Sequence, residues 1–408
     1  MDIEVRPVGE AEYEAYGRAI CLAFGVDYKP EEQDRERRLI PLEETLAAFE
    51  GAKLVGTEGA FRMTLSIPGA RVPMAGITSV SVLPTHHRRG ILTAMMRARL
   101  AAMHEQGEWL AGLWASESVI YGRFGYGVAS ERAGLEIETS RAAFAAPFSD
   151  PGAIRLVERQ EALRVIPPIF AAAAADWPGT IDRDERWWQH LWHDPKEDRG
   201  GRTGLLFAVH ATAGTDGTDD GYAVYRTRLS WGTGADSELS LEELVSGSVI
   251  AYTALWRFLL DVDLMPRLVA YRRPVDEPLR WMLAERRLVR TRIDEALWLR
   301  LVDVAAALAA RRYSAEGSVV IEVVDAFCPW NAGTLELDVG PDGARCRPTS
   351  KAADLTATAA DLAAVYLGGV SVATLARAGR ILEQAAGAGA RADELFRWSR
   401  APWCDRLF

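Results

Sequence analysis

The segment Ser79 to Met95 reads Ser-Val-Ser-Val-Leu-Pro-Thr-His-His-Arg-Arg-Gly-Ile-Leu-Thr-Ala-Met. A strand pattern runs into a basic loop and then into a helix pattern. The unpaired N–H groups at a helix start, the positive end of its dipole and two flanking arginines together attract anions, and a glycine lets backbone approach a phosphate closely. Arg88 and Arg89 can form charge-assisted bonds to phosphate oxygens, and Pro84 helps to end the strand. Taken alone, the segment fits a solvated basic turn capping a core helix as well as a phosphate site. A second segment, Ala115 to Gly127, carries two tyrosines, Tyr121 in a short helix and Tyr126 in a Gly-rich turn. Either phenol could hand a proton to a leaving group. Acidic Asp27, Glu31 and Glu32 stand beside aromatic Phe24 and Tyr28 and could line a pocket for a cation, although Glu31 to Glu36 also reads as a solvated charge run. His190 and His193 lie three apart, with no H-E-x-x-H and no third ligand, so a structural helix is expected and no metal. No G-x-S-x-G elbow and no G-x-G-x-x-G between strand and helix is present, which removes the motifs of hydrolases and Rossmann oxidoreductases.

The elements that must position these residues follow an α/β order. Ile3 to Pro7 reads as a strand, Glu10 to Phe24 as a helix, and Ala60 to Ile67 and Gly76 to Val82 as strands. A helix from about Arg89 to Gln106 places Ile91, Met95, Ala98 and Ala102 on one face, and Gly107 supplies a stop. Trp109 to Ala115 reads as a buried strand, and a strand pattern continues to Thr139. The stretch Ala146 to Gly152, rich in proline, glycine and small residues, predicts a domain boundary. Beyond it the outline repeats: strand Ile154 to Val157, a helix beyond Gln160, a hairpin on Leu205 to Val209 and Tyr222 to Arg226, strand Glu238 to Val245, helix Val249 to Leu260, strand Arg267 to Tyr271 and a helix near Pro278 to Arg287. The hairpin tip Thr212 to Gly221 is small and acidic and reads as a mobile surface loop. Here the strand Glu238 to Val245 passes into its helix through Ser246-Gly247-Ser248, without an arginine pair, so this block lacks the phosphate-binding chemistry of the first. A third block carries a helix at Val302 to Arg311, strands at Val319 to Val324 and Thr334 to Val339, helical pattern from Ala359, and an aromatic tail of Trp398, Trp403 and Phe408 that predicts a packed-down terminus. Its Tyr366 to Val370 stretch fits core packing or an apolar cavity.

The 408 residues, 49% hydrophobic and 25% charged, suit a folded chain of two to four domains and exclude collagen-like and disordered classes. A formal charge of −10 repels phosphate backbones, so nucleic acid is not the expected partner, while cationic small molecules are favoured. The four cysteines form no C-x-x-C pair, which speaks against a zinc site or disulfide framework and fits a reducing compartment. No secretory signal and no apolar run of membrane-spanning length is read, and a cytoplasmic protein is expected.

The Val-x-Pro-x-x-x-x-x-Gly spacing between strand and helix resembles the acetyl-CoA loop of GNAT N-acetyltransferases. The Ala115-Ser-Glu-Ser-Val-Ile-Tyr-Gly-Arg-Phe-Gly-Tyr-Gly127 segment, Pro-Thr-His before the arginines and Tyr366-Leu-Gly-Gly369 resemble the enhanced intracellular survival (Eis) family within that superfamily, whose members acetylate several amines of an aminoglycoside. The resemblance spans most of the chain and departs from the superfamily's usual residues at His87 and Leu92. It implies tandem GNAT acetyltransferase folds of α/β and α+β class followed by a sterol-carrier-protein-like domain, with domains at 1–147, 152–298 and 299–408. It further implies backbone contacts from Val80, Ser81 and Val82 to pantetheine, a pyrophosphate held among His87, Arg88, Arg89, Gly90, Ile91 and Leu92, and Ser116 at the cofactor. By the same likeness Tyr121 is the general acid, the C-terminal carboxylate of Phe408 is the base, and Phe24, Asp27 and Tyr28 line the acceptor site. One acetyl-CoA per chain, a cationic amine acceptor such as an aminoglycoside or polyamine, and a homohexamer complete the expectation. A protein-lysine or peptide acetyltransferase, and a non-catalytic protein binding an apolar ligand, are the alternatives.

Overall fold

The computed structural model describes residues 3–214, 217–231 and 236–408. They form two compact units. Unit 1 holds the chain up to Ser130, then Ala296–Ser399 and Leu407–Phe408; unit 2 holds Glu131–Glu295 and Arg400–Arg406. The Ala146 to Gly152 stretch lies inside unit 2.

In unit 1 the chain runs β1 (Ile3–Arg6), α1 (Tyr13–Phe24), α2 (Pro30–Arg37), β2 (Thr45–Glu50), β3 (Lys53–Ile67), β4 (Ala70–Val82), α3 (Ile91–Glu105), β5 (Leu110–Trp114), α4 (Ser118–Tyr121) and β6 (Gly127–Val128). In unit 2 it continues through β7 (Glu131–Glu138), β8 (Ala153–Val157), α5 (Arg159–Ala174), α6 (Glu185–Leu191), β9 (Leu206–Ala211), β10 (Asp219–Arg228), β11 (Glu238–Ser246), α7 (Val249–Leu260), β12 (Arg267–Arg273), α8 (Leu279–Met282) and β13 (Val289–Glu295). Back in unit 1 come β14 (Leu297–Leu301), α9 (Val304–Ala310), β15 (Gly317–Val324), β16 (Gly333–Gly340), β17 (Gly343–Pro348), β18 (Leu355–Thr358), α10 (Ala359–Val365), α11 (Val372–Arg377), β19 (Leu382–Glu383) and α12 (Ala388–Phe396).

Among the described residues the sheets run β1-β2-β3-β4-β5-β14-β6, then β13-β7-β12-β11-β10-β9-β8, then β17-β16-β15-β18-β19. The strand pattern ending near Thr139, read from sequence as the end of the first block, is β7, and it pairs antiparallel with β12 and β13. Its place in the first sheet is filled by β14, which arrives from beyond residue 296 and pairs with β5 and β6. Alternating apolar residues say which face a strand buries, not which sheet receives it.

The last two elements of the first sheet meet α10 at very short range. A Cβ on Gly127 would come within 1.9 Å of the Ala360 carbonyl oxygen, so only glycine permits this packing. Arg300 of β14 and Asp325 form a fully buried ion pair at 2.6 Å, with Asn331 also donating to Asp325. Tyr366 and Leu367 are completely buried, and the Tyr366 hydroxyl donates to the Ala307 carbonyl, so the start of this stretch is core while Gly369 is exposed. In unit 2 the helix expected at Pro278 to Arg287 shrinks to the four residues of α8. Of the expected mobile tip at Thr212 to Gly221, residues 215 and 216 lie outside the described residues, and Thr212 bonds Thr218 across the turn at 2.9 Å. No described helix is long and apolar enough to cross a membrane, and the described residues hold no cluster of three metal-binding side chains.

Candidate active site

The site begins with a fault in β4. Thr57 pairs with Ser81 and Gly59 with Thr78, so Ser79 and Val80 together oppose the single residue Glu58. Ser79 takes a φ of 52°, a left-handed value that a β-bulge can impose on a small polar residue. The Thr57 hydroxyl holds the fault, lying 2.8 Å from the Ser79 carbonyl and 2.6 Å from the Ser81 hydroxyl. Beyond it β4 and β5 part: their parallel ladder consists of Ala75 with Ala111 and Gly76 with Gly112. Past this point Val80, Ser81 and Val82 border open space, and an edge of this kind can receive an extended ligand as an added strand.

The basic loop closes one end of this opening. Arg88 and Gly90 have φ of 61° and 80°, and Gly90 is the residue before the first turn of α3, with no side chain capping that helix. The free first-turn N–H groups and the helix dipole therefore present an uncompensated positive end. Behind the loop, buried His86 meets Glu50 at 3.2 Å and Thr85 at 2.7 Å, and the His87 ring meets the Val82 carbonyl at 2.9 Å. Arg89 donates to Glu50 at 2.6 Å. The hydrogen bond from His86, with the charge of Arg89, holds the Glu50 carboxyl below its ordinary range.

A cavity of about 700 Å³ occupies the gap. Its walls include Val80, Ser81, Val82, His87, Arg88, Gly90, Ile91, Leu92, Ser116 and Tyr121, and Phe24 from the end of α1. Eleven positions singled out in the sequence thus meet in one place. Arg89, held by Glu50, is not in the wall. Nor are Asp27, which is solvent-exposed, and Tyr28, whose ring lies 4.3 Å under the Arg18 guanidinium and whose hydroxyl bonds Gln33. The acidic run is helix α2, with Gln33 buried and Glu36 pushed up by burial and by Glu32, so it is not a uniformly solvated face.

Sequence reasoning missed Thr93, Arg123, Glu117, Ile120 and His86 in the wall. Arg123 lies two residues past Tyr121 in the same short segment, and this nearness in sequence was the available signal. Glu50 is 39 residues from Arg89 and carried none.

Tyr121 is 6% exposed, and burial, reinforced by the charge of Glu58, pushes its phenol up to about 12. Tyr126 packs edge-on to it with ring centres 5.9 Å apart. That second ring is wholly buried, its hydroxyl finds no partner among the described residues, and desolvation raises it further. Tyr121 is thus the phenol at the cavity and Tyr126 packs behind it. Phe408 does not line the cavity. Its ring lies edge-on to Phe61 at 6.4 Å and against Gly76, the last laddered residue before β4 and β5 diverge.

Unit 2 repeats the frame with different chemistry. Strands β11 and β12 pair in parallel from Glu238 to Leu241 and then separate. Arg273 bridges the gap, donating to the Leu244 carbonyl at 2.8 Å and to Glu277 at 2.7 Å, with Trp256 and Trp403 5.8 and 5.7 Å from its guanidinium. Helix α7 is capped by Ser248, which also donates to Asp220 at 2.7 Å. Where unit 1 offers open N–H groups and arginine, unit 2 offers a satisfied cap and a carboxylate.

Residues 4–129 match a GNAT acetyltransferase domain family, residues 179–301 a second GNAT acetyltransferase domain family, and residues 304–405 the sterol carrier protein domain. An uncharacterized N-acetyltransferase of Streptomyces coelicolor is 40% identical over the whole length of both chains. The N-acetyltransferase Eis of Mycobacterium tuberculosis is 34% identical over 86% of each chain. The chain belongs to the Eis family of GNAT N-acetyltransferases. Eis1 from Mycobacterium abscessus superposes with a TM-score of 0.87 at 36% identity, covering 99% of this chain and all of that one. A GCN5-related N-acetyltransferase from Anabaena variabilis shares the fold at 21% identity, with a TM-score of 0.86 over both whole chains. The expected class, two GNAT folds and a sterol-carrier-like domain, is therefore the observed one. As an Eis-family acyltransferase the chain takes an acyl-CoA and an amine acceptor.

Proposed function

We propose that the protein transfers acetyl from acetyl-CoA to primary amines of a cationic small molecule, aminoglycoside-like or polyamine, by direct attack of the amine on the thioester. The observation that carries this reading is that Tyr121, the free edge Val80 to Val82 and the Arg88-Gly90 loop share one cavity in unit 1. Arg88 and the first-turn N–H groups of α3 would hold the pyrophosphate, and Arg89 joins them on leaving Glu50. The backbone of Val80 to Val82 would order the pantetheine arm.

Attack forms the new C–N bond, collapse of the tetrahedral species breaks the C–S bond, and Tyr121 protonates the departing sulfur. A phenol at about 12 is a weak acid towards a thiolate of pKa ~8.5, but the burial that raises Tyr121 raises a thiol beside it as well, so the mismatch narrows in the cavity. The amine, with pKa ~10, must lose a proton, and the α-carboxylate of Phe408 is the base, acting directly or through a water. One acetyl-CoA per chain follows, because in unit 2 Arg273 stands in the gap and Asp220 beside the helix start. A homohexamer in the cytoplasm belongs to the same reading.

The test is thiol release from acetyl-CoA with a panel of polyamines, aminoglycosides and lysine peptides. Release with the small polycations supports the proposal. Release with peptides alone moves the assignment to a protein or peptide acetyltransferase, and release with none of them removes catalysis on these acceptors.

A further inference from the structure

Within unit 1, helix α3 rests on β3 at two places. Near the helix start Ile91 and Met95 cover Gly56, where a Cβ would come within 3.0 Å of Ile91 and 3.1 Å of Met95, and both residues join Ala48 and Val55 in an apolar cluster. About 12 Å further along the helix, Arg99 donates from Nε to the Glu58 carboxylate at 2.7 Å. Glu58 is the residue that Ser79 and Val80 together oppose, so this bond starts directly across from the bulge. The same guanidinium donates to the Glu44 carbonyl at 2.8 Å, and the Tyr16 hydroxyl donates to the Glu58 carbonyl at 2.9 Å. The Glu58 side chain is wholly buried and that of Arg99 is 10% exposed. One Glu58 carboxylate oxygen has no partner among the described residues, and burial pushes the carboxyl up against the downward pull of the Arg99 charge.

We propose that Glu58 and Arg99 are positioning residues for the cofactor, a pin that holds α3 against the strand opposite the bulge. The pin fixes the distance between the strand edge Val80 to Val82 and the open start of the helix. Acyl-CoA carries its pantetheine arm and its pyrophosphate on one chain, so both elements must meet a single ligand at once. Two linked contacts reinforce each other only where their spacing matches the link, and the gain disappears where it does not. The apolar contact over Gly56 holds α3 down but tolerates sliding and rotation, because apolar burial has no direction. A buried ion pair does not, since a shift leaves charges unpaired in a dry core. Such a pair adds little net stability, as desolvation offsets the attraction, and one left a hydrogen bond short adds less. Placement is what it supplies. The inference rests on the reading that the arm and the phosphates both occupy the cavity of unit 1.

The test uses the untagged full-length chain and replaces the pair by apolar residues of similar length, Glu58→Met with Arg99→Met, an exchange that buried ion pairs tolerate without loss of stability. Glu58→Gln, which keeps a hydrogen bond to Arg99, is the conservative variant. Affinity is measured for acetyl-CoA and for its two halves, pantetheine and 3′-phospho-ADP. The double variant should keep its melting temperature, bind acetyl-CoA about tenfold more weakly and hold each half within about twofold, with KM for acetyl-CoA rising and kcat nearly unchanged. Glu58→Gln should recover most of the loss. Unchanged acetyl-CoA affinity in the double variant overturns the pin. So does an equal weakening of the whole cofactor and of both halves, which marks a general loss of the site. If Arg88→Ala with Arg89→Ala leaves the affinity for 3′-phospho-ADP unchanged, the phosphates lie elsewhere and the cavity reading fails instead.

Discussion

Tyr121 and Tyr126 differ by one property that matters for proton transfer: the first borders the cavity and the second is sealed behind it. Tyr121→Phe is therefore expected to lower kcat by about 10²- to 10⁴-fold, the range for a general acid, with acetyl-CoA affinity nearly unchanged. Tyr126→Phe removes a hydroxyl that has no partner among the described residues and should leave kcat within about threefold. Steady-state kinetics with calorimetric binding on both variants separates these cases. The pH dependence follows from sign. The working form of Tyr121 is protonated, and a pKa of about 12 keeps it so throughout ordinary assay conditions. The acceptor amine works deprotonated, with pKa ~10, so kcat/KM should climb through pH 7 to 9 and any falling limb should lie above about 11. A fall centred near neutral pH would exclude Tyr121 as the group that titrates. For stability, a phenol whose folded pKa exceeds its unfolded value of ~10 contributes nothing below pH 10 and weakens the fold between about 10 and 12.

At the scale of elements, the proposed mechanism divides the work between the bulge in β4, whose backbone would meet a pantetheine arm, and the open start of α3, which would gather phosphates. Arg88→Ala with Arg89→Ala should weaken acetyl-CoA binding by about 10- to 100-fold and flatten its salt dependence, as calorimetry at two ionic strengths would report. Unchanged affinity would move the phosphates elsewhere. The loop and α3 were legible in the sequence because their signals are local: proline, an arginine pair, glycine, then apolar residues at helical spacing. Helix α7 matches its expected bounds for the same reason, with Ser248 as its cap. Strand β2, Thr-Leu-Ala-Ala-Phe-Glu, shows no alternation because both its faces are largely buried, and it went unread. The bulge was equally invisible, since it depends on a register against β3 that no local pattern encodes. The pairing of Arg89 with Glu50 was hidden likewise, and it explains why one of two adjacent arginines lies outside the cavity wall.

Across the whole molecule, the repetition of a strand-and-helix outline was readable, but the exchange of β7 and β14 between sheets was not, because it is decided by long-range pairing. The aromatic tail signalled a packed terminus, and its parts pack apart: Trp403 in the core of unit 2, Phe408 against Phe61 and Gly76 in unit 1. Adding a short C-terminal tag or deleting Leu407 and Phe408 alone should abolish acetyl transfer while melting temperature and acetyl-CoA affinity change little. A tagged enzyme with full turnover would eliminate the terminal carboxylate as base. The most direct measurement of the central claim is mass spectrometry of a polyamine or aminoglycoside incubated with acetyl-CoA and the untagged chain, with free thiol followed in parallel. Acetylated amine formed in step with thiol, and lost in both Tyr121→Phe and the paired arginine variant, is the predicted result; thiol released without acetylated amine, or acetylation that survives those substitutions, would contradict it.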